Sequence, residues 1–260
     1  MGGDVHVVAS SQADVVKGGR AGLTQASRRL VSQDKVSRER FHDEIYERIY
    51  IAILEHRLAP GTKLGEEQLA RIFEVSRARV REVLSRLSHE QVVQLFPQRG
   101  AFVAKPSPEE AMDVFETRRL LEPAVVGRLI DHLTKDKVAR LRQHLELELD
   151  ARRREDRRAV VRLSGEFHVL LATLCGNSAY HRMMRELTTL TCLIIFLYDA
   201  PTAMSCRADE HAEIVDAIAR RDLGMACQLM TEHLNHIESS LILDSLDQEI
   251  DLAAVLGDSR

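Results

Sequence analysis

The 260-residue sequence contains no tryptophan, and aromatic residues make up only 4% of it. Six prolines and 13 glycines are too few for a loop-rich β-sandwich or a low-complexity chain. Leucine, alanine, arginine and glutamate are plentiful, and they lose little rotamer freedom on entering a helix. The composition therefore favours helices, in a chain long enough for one large domain or two modest ones.

Membrane spans and cysteine frameworks are also missing. The most apolar run, over 190–198, is far shorter than the roughly 20 residues that cross a bilayer, and no hydrophobic signal segment follows the N-terminus. We therefore predict a soluble, cytoplasmic protein without a membrane partner. The cysteines form no CxxC pair, which argues against disulfides or a thiolate zinc site; they are Cys175, Cys192, Cys206 and Cys227.

Charge is unevenly distributed along the chain. The formal net charge is −4, yet residues 73–105 hold six basic and three acidic side chains, whereas residues 106–260 have a net charge of −8. A small positive module attached to an acidic body is a typical DNA-binding arrangement.

The periodicity of apolar residues predicts a mostly α protein in four parts. Residues 1–37 lack periodicity and are expected to form a disordered arm. Residues 38–105 read as helices followed by a β-hairpin, a winged helix-turn-helix domain. Residues 106–243 predict an all-α bundle of six or seven helices, and 244–260 a tail. The bundle helices are predicted at about 108–132, 134–155, 157–175, 178–199, 205–221 and 222–243.

Local signals set the start of two helices. Ser76 is a suitable N-cap for the third helix of the winged domain. Ser107, Pro108 and Glu110 form an N-cap, a first-turn proline and a capping box at the start of the bundle. The inward face of the third helix is predicted to consist of Val80, Val83, Leu84 and Leu87.

Arginines cluster at the start of this third helix, the end that enters the major groove in helix-turn-helix proteins. Arginine can bind guanine with two hydrogen bonds, and free N–H groups of the first turn can hold a phosphate. A hairpin-tip arginine followed by glycine suits contact with the backbone or minor groove. The alternative is a solvated arginine face. The predicted DNA-contacting residues are Ser76, Arg77, Arg79, Arg81, Arg99 and Gly100.

These segments resemble the winged-helix signature of GntR-type transcriptional regulators. Many members have a proline where Ala78-Arg79 stands here, and some use a basic DNA-contacting residue at the position of Glu67. The matching stretches are LGEEQLA at 64–70, VSR at 75–77, VREVL at 80–84, RL at 86–87 and RGAFV at 99–103.

The rest of the chain resembles the FCD-type effector domain of the same family, which extends the resemblance over about 38–240. Six helices suit the shorter subgroup of these domains. The matching stretches are RRLLE at 118–122, FH at 167–168, GN at 176–177, EHAEI at 210–214, AI at 217–218 and MTEHL at 230–234.

Three histidines on separate amphipathic helices are candidate metal ligands. The residues alone leave open whether they are core histidines or converge on a metal. The resemblance implies one divalent ion (Zn, Ni, Mn or Fe) held by His168, His211, His233 and an aspartate. Ser164 stands at the aspartate position, so three outcomes are open: the site binds metal weakly, binds it through water, or is lost. Glu166 does not share a helix face with His168 and cannot simply replace it.

The resemblance also assigns two residues to effector binding. Arg118 matches an arginine of the ligand pocket, where a guanidinium would pair with a carboxylate. The alternative is a surface salt bridge to Glu122, four residues further along the same helix. Asn177 is assigned to the effector as well, with capping of the following helix as the alternative.

Together the resemblance implies a ligand-responsive transcriptional regulator, expected to be a repressor. Its partners would be a pseudo-palindromic double-stranded operator, a small carboxylate and a second copy of the chain. The sequence contains no HExxH motif, paired carboxylates or nucleophile motif, so we predict no enzymatic activity. The alternatives are a metalloregulator that senses the metal itself and, less well supported, a metal-dependent enzyme using the three histidines.

Overall fold

The computed structural model describes residues 44–199 and 209–243. The predicted arm, the start of the winged domain, Cys206 and the tail lie outside these residues. The elements in chain order are α1 (44–54), β1 (Lys63–Leu64), α2 (Glu66–Phe73), α3 (Arg77–His89), β2 (Val93–Phe96), β3 (Gly100–Val103), α4 (Pro108–Asp131), α5 (Lys135–Arg153), α6 (Arg157–Leu174), α7 (Ser178–Tyr198), α8 (Glu210–Ala219) and α9 (Leu223–Ser239).

The predicted winged helix-turn-helix followed by a helical bundle is confirmed. Ser76 caps α3 by accepting a hydrogen bond from the Arg79 backbone N–H, and the predicted inward face of α3 is buried. Glu74 ends α2 in the left-handed conformation (φ 54°), which turns the chain sharply into α3. The winged domain thus holds the start of α3 at its surface.

The wing is a three-stranded antiparallel sheet in the order β1-β3-β2. Val93 pairs with Val103 and Phe96 with Gly100, as in the predicted hairpin. Strand β1 was not predicted, because two residues are too few to show an alternating pattern. It pairs Lys63 with Phe102 and Leu64 with Ala101, and so adds a third strand to the hairpin.

The bundle begins at the predicted capping box. The Ser107 hydroxyl accepts from the Glu110 N–H while the Glu110 carboxylate accepts from the Ser107 N–H. Helix α4 packs against α7 and α9, α6 against α5 and α7, and α8 against α5 and α9. The six predicted bundle helices are all present, with ends within a few residues of the predictions except for α8, whose predicted start lies outside the described residues. In the described ranges, none of the helices is both long and apolar enough to span a bilayer.

Candidate metal centre and nucleic-acid interface

The three predicted histidines converge inside the bundle. His168 lies on α6, His211 on α8 and His233 on α9, and all three side chains are buried. The Nε2 atom of His233 lies 3.3 Å from Nε2 of His211 and 3.3 Å from Nε2 of His168. One candidate ligand atom from each ring falls within 4.8 Å of the others. We call these residues the histidine cluster.

A glutamate fixes the outer nitrogen of each ring in the histidine cluster. When Nδ1–H donates to a carboxylate, the lone pair of Nε2 is left for a ligand, which is how metal-binding histidines are commonly oriented. Sequence reasoning missed this shell of carboxylates. The pairs are Glu122 with His168 at 2.6 Å, Glu148 with His211 at 2.9 Å and Glu210 with His233 at 2.7 Å.

The electrostatics keep the rings of His168 and His233 neutral. Burial lowers the pKa of His168 to about 3 and that of His233 to about 4, only partly offset by their glutamates. Burial alone would raise the pKa of Glu122, but the positive charge of Arg118 and the contact with His168 hold it at about 2. Hydrogen bonds from two histidines likewise hold the pKa of Glu148 at about 2 against the effect of burial. At neutral pH His168 and His233 therefore present neutral imidazoles backed by carboxylates.

This donor set fits a divalent ion. Two nitrogens bound to one zinc at about 2.0–2.1 Å in tetrahedral geometry lie about 3.3–3.4 Å apart, close to the two separations of 3.3 Å that join Nε2 of His233 to His168 and His211. Ser164, one turn before His168 on α6, is buried but offers only a neutral hydroxyl. The protein ligands at hand are thus three imidazole nitrogens, which leave coordination positions for a further group.

Arg118 is buried beside the histidine cluster, with a relative exposure of 1%. Its Nε donates to Glu122 at 2.7 Å and its Nη1 to Thr191 at 3.0 Å. The alternative prediction, a surface salt bridge between Arg118 and Glu122, named the right partner. The pair is nevertheless buried rather than on the surface. Within the described residues Nη2 has no hydrogen-bond partner, which leaves a charged donor available in the interior.

An acidic cavity of about 410 Å³ opens on one side of the histidine cluster. Glu210 connects the cavity to the histidine cluster. Its carboxylate accepts one hydrogen bond from buried His233 and another from the half-exposed His236, each at 2.7 Å. Such a concentration of carboxylates attracts cations and repels free acids. The lining residues are Asp209, Glu210, Glu213, Leu229, Glu232, His233 and His236.

Two further sequence predictions concern Asn177, the N-cap of α7, and Glu166 in the middle of α6. The side chain of Asn177 accepts hydrogen bonds from the backbone N–H groups of Ala179 and Tyr180, which confirms the capping alternative. Its assignment to effector binding stays a prediction. Glu166 forms an ion pair with Arg162 on the same helix at 2.9 Å. It is not part of the histidine cluster, as expected.

The predicted DNA-contacting surface lies on the first turns of α3 and on the wing. Ser76, Arg77 and Arg81 are exposed, and Arg79 is half-buried. Arg81 is engaged with Glu66 at the start of α2, through hydrogen bonds of 2.8 and 3.0 Å, an acidic partner that the sequence did not indicate. The arginines of this surface are therefore not equivalent.

The wing carries the remaining predicted contacts at its tip. Arg99 is exposed, and its guanidinium lies 5.4 Å from the ring centre of Phe96 and 5.8 Å from that of Phe102. Gly100 has φ +99°, a conformation that favours glycine, and Gln98 turns the hairpin at φ 62°. The contacts with Phe96 and Phe102 hold the positive charge of Arg99 at the tip of the hairpin.

Helix α7 links the bundle to the winged domain. Arg185 donates from Nε to the hydroxyl of Tyr46 and from Nη2 to Glu47, and its guanidinium lies 4.1 Å from the ring centre of Tyr50. The contact continues about one turn further along α7, where the hydroxyl of Thr189 donates to that of Tyr50 at 2.9 Å. Sequence periodicity gave no sign of this junction between α7 and α1.

Taken together, a winged helix-turn-helix module with an exposed basic helix start, joined to a helical domain with an interior polar site, defines a helix-turn-helix transcriptional regulator. Comparison with known proteins agrees. Residues 41–103 match the family model for bacterial regulatory proteins of the gntR family, and residues 113–236 match the FCD domain. The chain belongs to the GntR family and carries an FCD domain; it is a DNA-binding regulator of transcription and not an enzyme.

Its relatives are regulators as well. The chain is 27% identical to the HTH-type transcriptional repressor RspR of Escherichia coli K12, over 77% of this chain and 88% of that protein. It is 30% identical to an HTH-type transcriptional regulator in an unstable DNA locus of Streptomyces ambofaciens, over 75% and 82%. A solved GntR regulator from Rhodococcus sp. RHA1 shares the fold, with TM-score 0.64 and 24% identity over 84% of this chain and 99% of that one.

Proposed function

We propose that this chain represses transcription and responds to a small carboxylate that binds at the histidine cluster together with one divalent metal. The observation that carries the proposal is the meeting of three Nε2 atoms, each ring backed by a glutamate, next to Arg118, whose buried Nη2 lacks a partner among the described residues. The RspR relative, a repressor, supports the direction of control.

His168, His211 and His233 would hold the metal. When bound, a divalent ion supplies positive charge and open coordination positions for oxygen ligands. Ser164 contributes no negative charge, so an incoming carboxylate would complete the site electrostatically. Arg118 would orient that carboxylate through Nη2 while Glu122 holds the guanidinium in place.

Helix α7 provides a physical connection from this site to the DNA-binding domain. Thr191 accepts the hydrogen bond from Arg118, and two residues earlier Thr189 contacts Tyr50 of α1. A ligand that draws Arg118 away from Thr191 would favour a different position of α7, provided that it binds the two arrangements with different affinity. We propose that this difference sets operator affinity.

On the DNA side, two copies of the chain would place their α3 helices in successive major grooves of a pseudo-palindrome. Basic side chains on the exposed surface of α3 and the wing tip support this arrangement. The face would consist of Ser76, Arg77, Arg79, Arg81, Arg99 and Gly100, and within it the guanidinium of Arg81 is bound by Glu66.

The first experiment is metal stoichiometry on chelator-stripped protein, by dialysis and elemental analysis. We expect about one divalent ion per chain, lost in His168→Ala. His236→Ala is the matched control, since His236 faces the acidic cavity and contributes no atom to the histidine cluster. Retention of full stoichiometry in His168→Ala would contradict the site.

The second experiment separates effector from metal. Operator sequences selected from a random library by the wild-type protein would be titrated with metal-loaded protein, with and without a panel of mono-, di- and tricarboxylates. Loss of DNA affinity with one acid in wild type, absent in Arg118→Met, is the expected result. Unchanged affinity with every acid would argue against carboxylate sensing.

The acidic cavity supports a second candidate function, a metalloregulator whose signal is the metal itself. Glu210, Glu213 and Glu232 would steer a cation toward His233 and disfavour the approach of a free anion. This candidate predicts DNA affinity that follows metal concentration without any carboxylate. Titrating the same operators with chelator-stripped protein at increasing metal concentration and no acid distinguishes the two functions, because metal alone would then account for the whole response.

A further inference from the structure

Glu66, the first residue of α2, contacts two arginines of α3. Arg81 donates from Nε to Oε1 at 3.0 Å and from Nη2 to Oε2 at 2.8 Å, so the guanidinium binds the carboxylate with two parallel hydrogen bonds. Nη2 of Arg77 lies 3.7 Å from the same Oε2 atom. Because Arg77 and Arg81 are four residues apart, they share one helix face, and one carboxylate spans both.

Stability alone gives little reason for this arrangement. The side chains of Arg77 and Arg81 are 63% and 66% exposed, and ion pairs at such a surface contribute little to folding. Its location is the informative part, because the first turns of α3 form the end of the helix that enters the major groove. A negative charge there opposes binding to phosphates in general.

The two arginines differ in what remains available to DNA. Glu66 occupies the edge of the Arg81 guanidinium formed by Nε and Nη2, so this pair of donors is not available to guanine or a phosphate. Arg77 approaches the carboxylate at a distance too long for a hydrogen bond, so its donors are not committed to this partner. Hydrogen bonding from Arg81 also lowers the pKa of Glu66, which keeps the carboxylate ionised.

We propose that Glu66 is a positioning residue for DNA recognition: it withholds Arg81 from the phosphates and leaves Arg77 as the arginine that reads a base. The proposal rests on the DNA-contacting face proposed above. It makes Glu66 a determinant of specificity, since the carboxylate reduces sequence-independent attraction and leaves base contacts in place.

The test measures the salt dependence of binding to a random-sequence duplex, for which no operator is needed. Each phosphate that a protein neutralises adds about 0.9 to the slope of log affinity against log salt concentration. We expect Glu66→Gln to steepen the slope by about 0.9, because Arg81 is released to a phosphate. Arg81→Gln alone should leave the slope unchanged, and the double variant should return to the wild-type slope.

Specificity is the second readout. The ratio of affinities for a duplex enriched by the wild-type protein and for the random duplex should fall about ten-fold in Glu66→Gln. Glu67→Gln is the matched control, because it removes the same charge from the next position of α2. The effect of Glu67→Gln on the salt slope and on the affinity ratio should be the same with or without Arg81→Gln. Circular dichroism and thermal melting would verify that each variant is folded, as expected for surface positions.

Two results would overturn the inference. If Arg81→Gln alone flattens the slope by about 0.9, Arg81 already contacts a phosphate in the wild type. If Glu66→Gln matches wild type in slope and specificity, the carboxylate positions nothing. A wild-type protein that enriches no sequence from the library would overturn the DNA-contacting face itself, and this inference with it.

Discussion

Acidification should destabilise this protein through its buried histidines. Burial holds the pKa of His168 at about 3 and that of His233 at about 4, whereas unfolding restores values of about 6.5. Between about pH 6.5 and pH 4 the unfolded chain therefore binds protons that the folded chain does not, and stability decreases as the pH falls. The depressed pKa of Glu122, about 2, acts in a lower window: its stabilisation is present above about pH 4.5 and is lost toward pH 2.

The magnitude follows from the size of the shifts. One pKa unit corresponds to about 1.4 kcal/mol, so at about pH 5 each of the two histidines reduces the free energy of unfolding by about 2 kcal/mol. Their combined effect of about 4 kcal/mol is a large part of the roughly 5–15 kcal/mol typical of folded proteins. Burial also lowers the pKa values of His56 and His181, which adds to the effect in the same direction.

Urea denaturation of chelator-treated protein at about pH 7.5 and pH 5 would measure this loss. In His168→Gln the loss should shrink to about 2 kcal/mol, because only one of the two deeply shifted histidines remains. His132→Gln is the matched control, since His132 is exposed and should leave the loss unchanged. Equal unfolding free energies at the two pH values in wild type, or an undiminished loss in His168→Gln, would refute the assigned charge states.

Three other variants test separate parts of the structure. Ser164→Asp adds a carboxylate one turn before the histidine cluster and should tighten divalent metal binding at least ten-fold by calorimetric titration; unchanged affinity would show that position 164 does not face the ion. Thr191→Val removes the acceptor of Arg118 Nη1 and should destabilise the fold by about 1–3 kcal/mol in thermal melts. Unchanged stability would refute the contact. Leu84→Ala leaves a cavity in the winged-domain core and should lower the unfolding free energy by about 2–5 kcal/mol; a smaller loss would contradict its burial.

Most elements could be predicted because their signals are local. The capping box at Ser107 and Glu110 and the N-cap at Ser76 depend on residues three positions apart, and both are present. The apolar face of α3 could likewise be read from its spacing. Strand β1 was missed because it exists only through pairing with β3, a partner nearly 40 residues away in the chain.

The histidine cluster was accessible from sequence only in part. The resemblance indicated its three members, but their convergence depends on how α6, α8 and α9 are rotated in the bundle, which spacing does not report. The supporting carboxylates lie far away along the chain: Glu122 is 46 residues from His168, and Glu148 is 63 residues from His211. One local signal was available, since Glu122 lies among Leu121, Val125 and Val126 on the buried stripe of α4.

The pairing of glutamates with the histidine cluster, two of them buried, needs a physical reason other than stability. Taking carboxylates out of water is costly, and apolar residues of similar volume often stabilise a fold as well or better. What the pairs provide is orientation: Nδ1 of each ring is bound to a carboxylate, so each ring can present only Nε2 to the others. If packing were the sole role, replacing Glu148 by glutamine would be mild. If orientation matters, that change permits the opposite tautomer of His211, because an amide can donate as well as accept, and metal affinity should fall about 10–100-fold while the fold persists.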